Sequence, residues 1–516
     1  MTSWFYRKWA GLLILIFFLS NTKELAAQAP PSVAIGLPKA MPDSIKANTV
    51  IIPSADSVTN LPDTVDKRPR NSYGDLLDDD PHYNPRSSWL IPVLRVTTSN
   101  IFGWAYSRYV QKADWAKVSM QTWKANLRGQ WEWDNDRFGV NFLIHPRAGS
   151  DYFNVARSNG YGFWGSYPYA FLGSLQWEYF GENTRPSKND LINTPVSGAF
   201  LGEILYRISS NILNDRRRGK HRLWREVFAG VVDPTRALNR FTQGKMTRIT
   251  PVEVYQKEPL NVSVSIGAHR VNDNNKFGTG GTNAIFNLQL DYGDPFEVRR
   301  RKAFDVFRLR LESRYGQDKR IVDNVLGYGL LFGKTLKSGN HGVLIGIFQH
   351  YDYWNNRVFE LGSLGFGPGL ISKFKFGSNS YWYSGLHAAG VPLAGNSTRF
   401  GPDTSEFRDY PFGGGFEGRI EERLNIGNWV SLGFNGYYYW FFNYPSAGFK
   451  GKSRIGILKP FITVRLYKNI SAGFEHHIYY DNRFIDDLNE LHLTTTEQKV
   501  FLQIFFQDRQ RYGKYH

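Results

Sequence analysis

The sequence predicts a mainly β protein, a transmembrane antiparallel β-barrel of roughly 12 strands (about 10 to 14) with an inserted α-helical domain. The first observation is strict alternation in the stretch Phe-Asp-Val-Phe-Arg-Leu-Arg-Leu-Glu that ends at Glu312. Phe307, Leu309 and Leu311 fall on one face of such a strand, and charged side chains fall on the other. The same two-faced pattern returns many times without a second apolar layer to cover it, which favours lipid as the covering medium.

The second observation is the composition. Aromatic residues make up 16% of the chain, yet the mean hydropathy is −0.41. A helical membrane protein would be far more apolar. In a barrel, the polar lumen residues and loops lower the mean hydropathy of the chain. A soluble β-sandwich or propeller is the rival fold, but its outer faces would have to be polar. Here aromatic side chains crowd those faces.

The third observation is the N-terminus. Arg7 and Lys8 precede a short apolar core at Ala10–Leu19, and Ala26 and Ala27 offer small residues for cleavage. We therefore predict a signal peptide at 1–27, cleaved on export to the outer membrane. The chain has no cysteine, which excludes thiol catalysis and Cys-ligated metal sites. No cofactor is expected.

The formal net charge of +17 bears on the partners. Nucleic acid is not expected, because an exported chain rarely meets it. An anionic membrane leaflet or an anionic solute fits the compartment better. The expected partners are outer-membrane lipid, the barrel assembly machinery, and a small solute or lipid.

Residues 28–86 are rich in Pro, Ser, Asp, Thr and Asn, which predicts a disordered or loosely docked periplasmic segment. A mixed domain follows at 87–244. Its first part contains a predicted strand hairpin formed by Trp131–Trp133 and Val140–Ile144, and its helices are placed within 151–244.

Helix signals are clear in that second part. Pro168 lies early in an apolar run that stops near Gly181, and Ser187 begins a capping-box spacing. Beyond it an apolar stripe repeats every four residues as far as Ile212, which predicts an amphipathic helix. Gly198 and Gly202 would let a neighbouring helix approach closely.

Residues 245–507 carry the barrel pattern. Val262, Val264 and Ile266 alternate with polar residues or glycine, and similar stretches recur to the aromatic end Phe505–Phe506. Connectors containing Gly and Asn separate the stretches. Residues 508–516 form a polar tail.

A dense run of short motifs lies between Trp131 and Arg207. It includes Trp133-Asp134-x-Asp136-x-Phe138, Asn141-x3-His145-Pro146, Tyr152-Phe153-x2-Ala156-Arg157-Ser158-x-Gly160, Gly173-Ser174-x2-Trp177-Glu178-Tyr179-x-Gly181-Glu182 and Pro186-Ser187-x-Asn189-Asp190. In this order the motifs resemble an uncharacterised domain family of Gram-negative, Bacteroidetes-type outer-membrane proteins over about residues 120–215. The resemblance implies a helical domain joined to a β-rich C-terminal part, and no established activity.

The same run holds candidate site residues. His145, Glu178 and Glu182 are weak candidates for a metal site, since imidazole and carboxylate groups bind zinc and other divalent ions. A polar cluster is also predicted, which would form if the helices converge: Asn189, Asp190, Glu203 and Arg207. Paired structural polar groups are the competing interpretation.

The leading functional hypothesis is a solute or lipid channel or binding protein with a helical plug or periplasmic unit. One alternative is a lipid-modifying acyl hydrolase or transferase, with His145, Ser150 and Asp151 as base, nucleophile and orienting acid. Another is a structural or assembly protein of the outer membrane. An enzyme is the less favoured hypothesis.

Overall fold

The computed structural model describes residues 68–507 except 273–275, 317–320, 398–409, 446, 448–449 and 487–489. The predicted signal peptide, residues 28–67 and the polar tail lie outside these described residues.

Twelve antiparallel strands form a closed barrel, which confirms the predicted fold class. Each strand pairs with its neighbours in sequence, and β1 pairs with β12 to close the ring. The strands are β1 Leu260–Val271, β2 Thr282–Tyr292, β3 Phe307–Tyr315, β4 Val322–Ser338, β5 His341–Asn355, β6 Glu360–Lys375, β7 Tyr381–Ser397, β8 Phe412–Ile426, β9 Val430–Asn443, β10 Gly451–Tyr467, β11 Ile470–Ile485 and β12 Leu491–Phe506. The barrel therefore begins at Leu260, some residues after the predicted boundary at 245.

The register assigns each residue to the inner or the outer face, because directly paired residues share a face. Leu309 of β3 pairs with Leu290 of β2 and with Gly327 of β4, and Gly327 pairs with Tyr351 of β5. These residues share the outer face with Leu502, which is 56% exposed. The alternate residues point into the lumen.

We call the barrel end where β1 begins and β12 ends the terminal end, and the opposite end the loop end. Turns of two to five residues, such as 339–340 and 376–380, close the terminal end between β4 and β12. The longer connection 293–306 lies there too, between β2 and β3.

Seven α-helices lie in the described residues before the barrel, and we call them together the helical unit. They are α1 Leu90–Ala105, α2 Met120–Arg128, α3 His145–Arg157, α4 Phe163–Gln176, α5 Lys188–Ile212, α6 Gly219–Val232 and α7 Pro234–Thr242. Single π-helical turns extend α1 and α4 and precede α3, at Tyr106–Val110, Trp177–Gly181 and Val140–Ile144. Among the described residues, no helix is both long enough and apolar enough to cross a membrane.

The helix signals near Gly181 and Ser187 are confirmed, but the strand hairpin is wrong. The hydroxyl of Ser187 accepts a hydrogen bond from the Asp190 amide and caps α5. Val140–Ile144, predicted as a strand, is a π-helical turn leading into α3. Its Asn141 side chain donates to the Asp134 carboxylate at 3.0 Å, and this local contact folds the chain back into a helix. The helices thus begin well before residue 151.

The helical unit packs against the outer wall of the barrel. The Gln349 side chain of β5 donates to the Val196 carbonyl at 2.8 Å, and the Asn211 side chain donates to the Glu258 carbonyl, just before β1, at 2.9 Å. From Val196 to Asn211 the helix rises about 22 Å, and four strand spacings amount to about 19 Å. Helix α5 therefore crosses the outer faces of β5 to β1 at a steep angle to the strands.

This position is not that of a plug in the lumen, which is one of the two expected placements; the other, a periplasmic unit, stays a prediction. The apolar stripe of α5 matches the apolar outer face and not the charged lumen. Phe200 of α5, for example, stacks on Tyr351 with 5.6 Å between ring centroids and lies over Gly327. Both wall residues face outward.

Residues 68–86 are packed onto the terminal end, although the sequence predicted disorder or loose docking there. The Asp79 carboxylate accepts a hydrogen bond from the Tyr206 hydroxyl of α5 and one at 2.8 Å from the Gln256 amide. The Arg68 guanidinium binds the Asp80 carboxylate at 2.6 Å. Polar contacts to a folded surface therefore order a segment that is too polar to fold alone.

Helices α3 and α5 cross at two glycines, Gly149 and Gly198. A Cβ added to Gly198 would lie 2.4 Å from the Gly149 carbonyl carbon. We expect Gly198→Ala to lower the free energy of unfolding of the helical unit by about 1–3 kcal/mol, measured by urea unfolding in detergent. Gly162→Ala is the matched control, because its Cβ meets no atom within 4 Å. Equal urea midpoints for the two variants would contradict the close crossing.

Candidate functional site

The lumen is lined by charged side chains that contact each other across it. The Arg310 guanidinium of β3 donates to the Tyr437 hydroxyl of β9 at 3.0 Å. In a ring of twelve, β3 and β9 are diametrically opposed. The Glu421 carboxylate of β8 binds Arg310 at 3.2 Å and also binds Arg308. Side chains from opposite walls therefore meet in the middle of the barrel.

A second group lies closer to the loop end. The Arg419 guanidinium of β8 binds the Asp352 carboxylate of β5 at 2.7 Å, and the Tyr439 hydroxyl donates to the same carboxylate at 2.6 Å. The His350 imidazole lies 2.7 Å from the Glu417 carboxylate, which binds Arg419 at 3.2 Å. This group thus joins β5, β8 and β9.

A third group joins the start and the end of the barrel sheet. The Lys499 ammonium of β12 binds Glu312 of β3 and lies 3.4 Å from Glu497. The Tyr479 hydroxyl of β11 donates to the Glu497 carboxylate at 2.6 Å. We call the three groups together the lumen network: Arg308, Arg310, Glu312, His350, Asp352, Glu417, Arg419, Glu421, Tyr437, Tyr439, Tyr479, Glu497 and Lys499.

The lumen network occupies the passage through the barrel and pairs nearly all of its charges. Opposite charges meet at every level, so the guanidinium and carboxylate groups hold each other in place. In chemical terms it can act as a closed gate for polar solutes, or as a set of charges that a solute replaces in turn. Sequence reasoning missed most of these residues. The alternation Glu417-Gly-Arg419-Ile-Glu421 was the available signal.

One group of the predicted site residues of the helical unit lies near the loop end, around His145. The His145 Nε2 atom is 3.4 Å from Asp190 and 3.7 Å from Asp136. Asp134, Asp136 and His145 each place one ligand atom within 4.8 Å of the others. The Asn189 amide donates to Asp134 at 2.7 Å. We call these five residues the Asp–His cluster.

Glu178 and Glu182 make separate contacts. The Glu178 carboxylate accepts a hydrogen bond from the Ser187 amide at 2.7 Å, and the Glu182 carboxylate accepts one from the Trp177 indole at 2.6 Å. The ion pairs of His145 are with Asp136 and Asp190 and not with these two glutamates.

The four residues of the predicted polar cluster separate into two groups. Asn189 and Asp190 join the Asp–His cluster. The Glu203 carboxylate binds Arg207 at 2.6 Å and Arg157 at 2.8 Å, further along α5. These two groups are 13 or more residues apart along the helix.

The candidate triad residues also have separate partners. The Ser150 hydroxyl donates to the Arg147 carbonyl at 2.7 Å, and the Asp151 carboxylate accepts from the Thr235 hydroxyl at 2.6 Å. His145 belongs to the Asp–His cluster and lies more than one helical turn from Ser150 along α3. A base, nucleophile and acid in sequential contact are therefore not formed by these three side chains.

The electrostatics of the Asp–His cluster favour an internal ion pair. Burial lowers the pKa of His145, but the carboxylates of Asp190, Asp136 and Asp134 outweigh it and raise this pKa to about 10. Burial and the neighbouring Glu182 raise the pKa of Glu178 to about 8.

These shifts predict that the helical unit loses stability as the pH rises. The folded state holds its protons longer, so the Glu178 contribution is lost between about pH 4.5 and 8, and the His145 contribution between about pH 6.5 and 10. Urea midpoints of the helical unit should fall from pH 5 to pH 9. In the variant Glu178→Gln the urea midpoint should fall less between about pH 4.5 and 8. A midpoint that rises over this interval would contradict the assignment.

Most of the helical unit matches a known protein family. Residues 130–235 match a family model described as Domain of unknown function (DUF3943). The predicted resemblance to an uncharacterised domain family is confirmed. The DUF3943 region contains the Asp–His cluster and α5, so the matched part is the part that covers the outer wall. No curated protein matches the chain.

Several solved outer-membrane proteins are similar to the chain at low identity. An outer-membrane channel from Pseudomonas putida F1 is 11% identical, covers 48% of this chain and 96% of its own, and has a TM-score of 0.28. Outer membrane phospholipase A from Escherichia coli is 12% identical, covers 48% of this chain and 93% of its own, and has a TM-score of 0.25. An anion-selective porin from Comamonas acidovorans is 9% identical, covers 48% of this chain and 98% of its own, and has a TM-score of 0.22. The twelve-stranded barrel itself rests on the pairing register given above.

Proposed function

We propose that the protein is an outer-membrane β-barrel channel for a small polar solute, closed in this conformation by the lumen network.

The outer face supports the membrane location. On β9 to β12 this face carries exposed large apolar side chains: Leu432, Tyr438, Phe442, Leu458, Ile462, Val464, Leu466, Phe474, Tyr480, Val500, Leu502 and Ile504. An apolar surface of this extent exceeds what water-soluble monomers expose. Hydrocarbon tails are the medium that would cover it, as in other barrels with apolar outer and polar inner faces.

The charged lumen is the observation that carries the channel proposal. A barrel interior with only a structural role can be filled by apolar side chains, and replacing buried ion pairs by such packing is often neutral or stabilising. Here Arg308, Arg310, Arg419 and Lys499 are retained in the middle of the barrel with carboxylate partners. A passage for water and a polar solute accounts for these side chains.

A lipid-modifying enzyme receives less support from the geometry. In the lumen the Glu417 carboxylate binds both the Ser363 hydroxyl at 2.5 Å and the His350 imidazole at 2.7 Å. The acid thus stands between serine and histidine, whereas nucleophile activation requires the imidazole in that position.

Export and assembly complete the proposal. The leader at 1–27 would be cleaved after translocation, and the barrel assembly machinery would insert the strands, with the aromatic end Phe505–Phe506 on the last strand.

Liposome swelling with neutral sugars of increasing size tests the function. We expect slow swelling with the wild-type protein and faster swelling when the lumen network is weakened. No flux with the wild-type protein and none with the variant of weakened lumen network would contradict a channel. The control is that both barrels are folded, shown by their resistance to unfolding in cold detergent.

A further inference from the structure

We propose that α1 and α4 of the helical unit lie within the bilayer beside the barrel and turn their outward faces to lipid acyl chains. This inference rests on the proposed membrane location. It concerns a surface that the channel proposal leaves unexplained.

The height of the helical unit on the barrel is the first argument. Helix α5 covers β4 and β5 at Gly327 and Tyr351. Further along the same strands, toward the terminal end, Phe332 and Ile345 are exposed by 57% and 48%. The helical unit therefore lies directly beside the exposed apolar part of the outer face, and the same medium covers both.

The outward faces of α1 and α4 are themselves largely apolar. Helix α4 contains no charged residue. The only charged residue of α1 is Arg95, and its guanidinium donates hydrogen bonds to the Asn239 and Thr242 side chains of α7. On α1 the outward side chains include Leu94 and Phe102, which are 63% and 71% exposed. Water would be an unfavourable medium for such a face.

The two apolar surfaces are continuous. Trp164 of α4 stacks on Phe332 of β4 with 5.2 Å between ring centroids and 8° between planes, and both rings are at least half exposed. Next to this pair, a groove of about 570 Å³ on α4 is lined by Trp164, Tyr167, Pro168, Phe171, Leu172 and Leu175. One hydrocarbon phase therefore covers helix and strand without a polar gap, which favours acyl chains over a second copy of the chain.

Spin labelling in liposomes tests the inference, and the absence of native cysteine simplifies it. Single variants Leu94→Cys and Phe102→Cys carry a nitroxide on α1, and Leu502→Cys carries one on β12 of the barrel. Lys124→Cys, on an exposed polar position of α2, is the water control. Oxygen concentrates in hydrocarbon, whereas a neutral nickel chelate stays in water.

We expect the labels at 94 and 102 to match the label at 502, with oxygen accessibility several times higher relative to nickel than at 124. High nickel accessibility at 94 and 102, with 502 in lipid, would overturn the inference and leave the barrel proposal intact. Low accessibility to both reagents at 94 and 102 would overturn it in favour of a protein contact. High nickel accessibility at 502 would overturn the membrane location itself.

Discussion

Arg310→Ala is expected to raise single-channel conductance in planar bilayers by about tenfold or more. The Arg310 guanidinium makes the contact between opposite walls, to Tyr437 of β9, and its removal opens the middle of the lumen. The variant should still fold, since Glu421 keeps Arg308 as its partner. A tenfold change in conductance corresponds to about 1.4 kcal/mol in the barrier to permeation. Arg310→Ala removes both a fixed charge and the side chain that crosses the lumen.

Arg454→Ala is the matched control, because it removes the same side chain from an exposed position near the loop end of β10. Its conductance should equal that of the wild type. Equal conductance for Arg310→Ala and Arg454→Ala, with both barrels folded, would show that the lumen network does not close a permeation path.

Arg207→Ala is expected to cost the helical unit about 3 kcal/mol of unfolding free energy, the lower end of the range for breaking a buried ion pair. The Arg207 guanidinium binds Glu203 of its own helix, and it binds Asp305 at 3.1 Å and the Ala303 carbonyl at 2.7 Å in the connection between β2 and β3. It thus fixes α5 to the barrel. The value lies at the lower end because Arg157 still neutralises Glu203.

The measurement is cleavage of the helical unit by a protease at increasing urea concentration, with the barrel monitored separately by its heat-dependent gel mobility. The exposed Arg217→Ala is the control, and Arg207→Lys should recover only part of the loss, because an ammonium lacks the planar fork of donors. An unchanged urea midpoint for Arg207→Ala would contradict the role of this contact.

The barrel was predictable from the sequence because the pattern that indicates each strand involves only residues close together in the chain. Alternation of Phe307, Leu309 and Leu311 with charged residues holds within a single strand and needs no knowledge of the partner. The cap at Ser187 was predictable for the same reason, since it involves neighbours in the chain. The close crossing at Gly198 followed from residue size alone.

The lumen network and the position of the helical unit were not predictable in this way. Which carboxylate meets Arg310 depends on closure of the ring, which brings β8 and β9 opposite β3. The Asp–His cluster was not predictable either, because it joins Asp134 and Asp136 to His145 and Asp190 from separate segments of the chain. The charge-free sequence of α4 was the available signal for a helix that meets an apolar medium.

The most direct test of the account asks on which side of the wall the helical unit lies. Tyr351 and His350 are neighbours on β5, but Tyr351 faces outward to Phe200 and His350 faces the lumen to Glu417. A short bifunctional thiol reagent should join Phe200→Cys to Tyr351→Cys in high yield and fail to join Phe200→Cys to His350→Cys. The reverse pattern would place the helical unit inside the barrel and contradict both the closed lumen and the lipid-facing helices.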